Sequence, residues 1–139
     1  MSAIDAYPLI LADDADGVRR LVVEQGVDCN ATIRIRSYDV PLAFLAIQHS
    51  ALHTLDFLLS CICDLTGTGR GRATLMDYIV AAPDPFPALL RIATAAGGHY
   101  QELLRDIPLG LVARLPQPRL DELNAHLREF AIRPAPIQN

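Results

Sequence analysis

A dipeptide ending in Leu recurs along the chain at nearly constant spacing. Pro8-Leu9, Pro41-Leu42, Thr74-Leu75 and Pro108-Leu109 lie 33, 33 and 34 residues apart. Each opens an apolar segment: YPLILA, VPLAFLAI, ATLMDYIVAA and IPLGLVARL. Proline is favourable at a helix start, where its missing N–H would have no intrahelical acceptor. A break follows each segment, at residues 13–17, 49–51, 83–85 and 116–118, and then a longer amphipathic stretch. Val18, Leu21 and Val22 share one helical face; so do Leu55, Leu58, Leu59 and Ile62, then Leu89, Ile92, Ala93 and Ala96, then Leu120, Leu123, Leu127 and Phe130. Gly26 and Gly97 stand where a helix C-terminus needs a residue free to turn left-handed. A period of this length predicts an array of helix-turn-helix units, each too small to bury its apolar faces alone.

The pattern resembles the ankyrin repeat, a 33-residue unit whose first helix opens T-P-L-H-x-A. The best matches are YPLILA…VRRLVVEQGVDCN and VPLAFLAI…LHTLDFLLSCICDL. The resemblance implies one all-α domain over residues 1–139, an ankyrin-type solenoid of stacked helix-turn-helix units joined by hairpin-like loops. Its units would be 5–37, 38–70, 71–104 and 105–133, with a short tail at 134–139. The chain departs from the family at Thr74, which replaces the opening Pro, at Ile62, where Gly is usual, and at the PDPFP turn. The resemblance further implies a protein–protein interaction module that uses its concave face and loop tips. An inhibitor or immunity-type antidote fits such a free-standing module. A host-directed effector or adaptor using the same surface is the competing class, and a small-ligand or metal-binding protein the third.

Composition narrows the partner. All 12 cationic residues are Arg, set against 16 Asp and Glu, for a net charge of −4. An acidic chain without a basic block does not suit sequence-independent nucleic-acid binding, which needs clustered cations to displace counterions. Hydrophobic residues make up 51% of the chain, but the longest clean apolar stretch, Val40 to Ile47, is eight residues. A spanning helix needs about 18–20, so no membrane helix is expected. The N-terminus lacks a basic region followed by an apolar core, and three Cys are an odd number for a disulfide framework. Both point to a cytoplasmic protein, and the Arg-only usage points to GC-rich, bacterial coding. The apolar surplus leaves a monomer or weak dimer open, with Phe86, Leu103 and Leu104 as a self-association face.

The residues preceding each opening dipeptide are expected on the concave rim. These are Arg34, Arg36, Tyr38 and Asp39, then Arg70 and Arg72, then Tyr100 and Asp106. In an extended arm the alternate residues of R-x-R share a face, so each pair would present two guanidiniums to an acidic partner surface. Arg and Tyr are favoured at binding hot spots.

Catalytic and cofactor chemistry fits poorly. TGTGRGR at 66–72 lacks the Lys of a phosphate-binding loop and no strand is expected before it; it reads as a flexible loop tip. The one-residue gap of Cys61-x-Cys63, beside His49 and His53, is too tight for structural zinc. Ser50, His53 and Asp56 fall on a solvent-facing helix surface with nothing to exclude water. His99 and His126 have no evident partner. No cofactor, metal or enzymatic activity is expected.

Overall fold

In a computed structural model, which describes residues 2–104, 113–122 and 125, the chain forms helix pairs and one β-hairpin. The first pair is α1 (Ala6–Leu11) and α2 (Ala15–Val23). The hairpin follows, β1 (Thr32–Ile35) and β2 (Tyr38–Pro41). Next come α3 (Leu42–Gln48) with α4 (Leu52–Ser60), and α5 (Leu75–Ala81) with α6 (Pro85–Thr94). Within each pair the helices pack together; between pairs α3 touches both α1 and α5, and α4 touches both α2 and α6.

The hairpin corrects the all-α solenoid expectation. Residues 32–41 form a two-stranded antiparallel hairpin rather than a loop. Thr32, Ile33, Ile35, Tyr38 and Val40 are β-branched or aromatic and suit a pleated, half-buried surface. Ile33 and Val40 face each other across the ladder, both buried, whereas Arg34 opposes Asp39 on the solvent side. Arg36 and Ser37 form the tip, with φ of 51° and 79°, the left-handed pair that matches strand twist in a two-residue turn. Three helix pairs are described in full. Of the expected fourth unit, short helical stretches at 113–114 and 117–122 are described; Pro108, Leu123, His126, Leu127, Phe130 and the 134–139 tail lie outside the described residues.

The apolar core is centred on α3, whose residues Leu42 to Ile47 are all buried. Phe44, Leu55, Leu58, Ile79 and Leu89 are completely enclosed around it. Phe86 and Leu104, expected as a self-association face, also lie in this core, and Leu103 is half-buried.

Helix starts are capped by different means. Asp14 Oδ1 accepts the Gly17 N–H at 3.0 Å; Thr74 and Asp77 form a reciprocal capping box; Asp84 caps α6, with Pro85 at its first turn. Pro41 ends β2 and precedes α3 instead of entering it, while Pro8 lies within α1. The start of α4 has no cap of its own, because Ala51 stands there. Its acceptors come from the first helix pair: Asp13 Oδ1 and Oδ2 accept the N–H groups of Thr54 (2.9 Å) and His53 (3.3 Å). Asp13 reaches across from a left-handed turn, φ 52°, a conformation that Asp tolerates better than most residues.

Three equivalent bends end the second helices. Gly26, Ile62 and Gly97 all take positive φ, of 76°, 54° and 66°. At Ile62, a β-branched and 54% exposed residue, this conformation costs roughly 1–2 kcal/mol. The first two bends continue alike, Asp28 accepting the Asn30 N–H and Asp64 the Thr66 N–H. His99 stands in the corresponding place of the third.

The Asp13 cap is testable by urea denaturation. Asp13→Gly keeps the left-handed turn and removes both acceptors; it is expected to cost about 1–2 kcal/mol, and Asp13→Asn about half as much. An unchanged midpoint for Asp13→Gly would show that the cap contributes nothing.

Candidate functional site: a cationic rim above a cleft

Three arginines lie at loop tips: Arg36 on the hairpin, and Arg70 and Arg72 in a short 3-10 turn. The strand β2 rests against that turn, so the hairpin and the turn are neighbouring loops. All three side chains are exposed and have no ion-pair partner among the described residues. Arg34 differs. Its guanidinium pairs with Asp39 at 3.3 Å, both groups well exposed, an arrangement that contributes little stability but neutralises the cation locally. Tyr38 is 43% exposed on the same hairpin.

The R-x-R geometry therefore departs from the expected alternation. Arg36 is in the left-handed tip, and Arg72 has φ of 62° after Gly71 at 63°, so neither pair lies on a continuous extended arm. Arg36 and Arg72 instead occupy matching left-handed tip positions in successive loops. Tyr100 is not on the rim at all. It is buried, and its hydroxyl donates to the Cys63 carbonyl at 2.7 Å; burial raises its pKa. Asp106 lies outside the described residues.

The 70–72 turn is hydrogen-bonded both within itself and to Tyr78. The Arg70 N–H donates to Tyr78 Oη at 3.0 Å. The Gly69 N–H donates to the Ala73 carbonyl at 2.9 Å, and Ala73 N–H to the Arg70 carbonyl. A Cβ on Gly69 would collide with the Tyr78 hydroxyl. The Tyr78 ring in turn packs on Phe44, with centroids 5.0 Å apart. Thus the core aromatic pair carries the loop, and glycine is required because backbone and ring meet there. No spacing rule separates such a glycine from a flexible one in sequence.

Beneath the turn is an open cleft of about 290 Å³ lined by Gln48, Arg70, Ala73, Asp77, Tyr78 and Ala81. It runs between the end of α3 and the exposed side of α5. The Asp77 carboxylate is engaged by the N–H and hydroxyl of Thr74, at 2.9 and 3.1 Å, while Arg70 contributes a cation at the mouth. The surface offers guanidinium donors, an amide and a small apolar floor, a set that suits a carboxylate-bearing chain segment.

Other arginines serve the fold. Arg119 pairs with Asp84 at 2.9 Å and lies over the Phe86 ring, Arg114 donates to the Ala82 carbonyl, and Arg91 Nε sits 3.0 Å from Asp56 Oδ1, close enough for an ion pair but off the line of a hydrogen bond. His49 stacks edge-on to Tyr7. Among the described residues no group of three or more His, Cys, Asp or Glu is placed to hold a metal ion, and no helix is long and apolar enough to cross a membrane.

No protein-family model, curated protein or solved structure matches the chain. What the surface can do follows from its own side chains.

Two substitutions test the anchoring of the rim. Gly69→Ala is expected to lower stability by about 2 kcal/mol in chemical denaturation, because ring or backbone must shift. Tyr78→Phe, which leaves the Arg70 N–H unpaired, should cost about 1 kcal/mol. Equal stability of both variants to the native protein would mean that the turn is not held on Tyr78.

Proposed function

We propose that this protein acts by binding another protein rather than by catalysis, and that the partner docks an acidic segment on the rim formed by Arg36, Arg70 and Arg72. The observation that carries this reading is three exposed guanidiniums, without an ion-pair partner among the described residues, on neighbouring loops of an otherwise acidic molecule, with Arg70 at the mouth of a cleft whose base is packed on the core. Solvent-facing arginines without partners give no stability to the fold, whereas across an interface they form bidentate bonds with carboxylates. Their long-range field also favours encounter with an anionic surface, with a salt dependence of the association rate. An inhibitor or antidote that works by occluding its target fits this arrangement.

The test compares the native chain with an Arg36→Glu/Arg72→Glu variant as baits in lysate of the organism that makes the protein, with retained proteins identified by mass spectrometry. Both positions are exposed, so the variant should keep the native circular dichroism and melting temperature. At least tenfold loss of a specifically retained protein is expected, corresponding to about 1.4 kcal/mol or more. Retention of the same partner at the same level by the charge-reversed variant would contradict the proposal.

A further inference from the structure

The three cysteines gather on the far ends of the second helices, where the bends meet. Cys29 and Cys61 are half-buried and Cys63 is buried. Cys29 belongs to the loop after α2, and Cys61 closes α4, so the two come from successive helix pairs. The two thiols are neighbours, close enough for the charge of Cys61 to disfavour ionisation of Cys29. The backbone around them is pinned in the same place: Asn30 Oδ1, one residue after Cys29, accepts the Asp64 N–H at 2.7 Å. The third thiol is set apart by its surroundings. Cys63 is only 2% exposed, burial pushes its pKa up to about 11, and the Tyr100 hydroxyl donates to its carbonyl.

We propose that Cys29 and Cys61 are a modification site: a reversible disulfide that clips the first helix pair to the second. The Asp64 N–H to Asn30 Oδ1 bond of 2.7 Å ties the Cys29 loop to the bend that follows Cys61, and two half-buried neighbouring thiols on backbone held in this way suit such a bond, which needs close approach without large backbone movement. The oxidant class is a low-molecular-weight disulfide such as oxidised glutathione. The Cys61 thiolate attacks one glutathione sulfur, the glutathione S–S bond breaks, and one glutathione leaves as thiolate and takes up a proton. Cys29 then loses its proton to solvent and attacks the Cys61 sulfur of the mixed disulfide, releasing the second glutathione. Two protein thiols are oxidised to one disulfide, and one glutathione disulfide is reduced to two thiols.

The clip has a definite structural consequence. The segment it closes, from 29 to 61, contains the hairpin with Arg36 and the whole of α3 and α4. Cross-linking this segment restricts the unfolded chain and so stabilises the native state. The Cys29 thiol, held up in pKa chiefly by burial and by the Cys61 charge, makes the closing step slow at neutral pH and faster as pH rises.

The experiment equilibrates the full-length protein in glutathione buffers, quenches it by alkylation and maps linkages by peptide mass spectrometry. Oxidising buffer is expected to leave one free thiol, Cys63, and one intrachain linkage, Cys29 to Cys61. The melting temperature should rise by about 5–10 °C and return on adding dithiothreitol. The closing rate should increase about tenfold between pH 7 and pH 8. Cys63→Ala should form the same linkage. A Cys61–Cys63 or Cys29–Cys63 linkage, arrest at a glutathione adduct, an intermolecular dimer, or three free thiols at the highest oxidant ratio would each overturn the proposal.

Discussion

Every described part of the protein depends on the enclosure of α3. Six consecutive residues, Leu42 to Ile47, are buried on all sides, which is unusual for a helix in so short a chain. A helix that is apolar all round must be covered all round, and its covers are α1, α4, α5 and the end of β2. Each fully buried Leu, Ile or Phe contributes about 1.5–3 kcal/mol relative to exposure, so this one segment organises much of the driving force. It also fixes where the rim sits. Phe44 packs on Tyr78, Tyr78 carries the 70–72 turn, and Val40, at the head of the same apolar run, seals the hairpin against the core.

Polar contacts between helix pairs then set their relative position, which a non-directional apolar core does not. Asp13 caps α4 from the first pair; Asn30 binds the bend of the second; Tyr100 reaches back to Cys63. The Thr54 N–H and the Tyr100 hydroxyl are sheltered from water, so losing the acceptor of either costs more than the bond itself contributes.

Much of the helical layout was legible from apolar period and turn residues. Leu55, Leu58 and Leu59, and Leu89 with Ile92, bury the face their spacing selects, and Gly26 and Gly97 turn left-handed as expected. The strands do not stand out in the sequence, although the alternation of Ile33 and Val40 against Arg34 and Asp39 is a strand pattern; four-residue strands are short enough to pass for loop arms. Site residues were legible only where position in a loop implies exposure. Arg36, Arg70 and Arg72 are exposed tips, but Tyr100 is drawn inward by a hydrogen bond to a carbonyl 37 residues away. The role of Gly69 and the nearness of Cys29 to Cys61 depend on long-range packing that no local pattern encodes.

The dependence on α3 is tested most directly by native-state hydrogen exchange. The amides of residues 46–49 should exchange only through global unfolding, with the same free energy and denaturant slope as the whole protein. Exchange of these amides by a local opening, while those of α5 and α6 stay protected, would contradict the account.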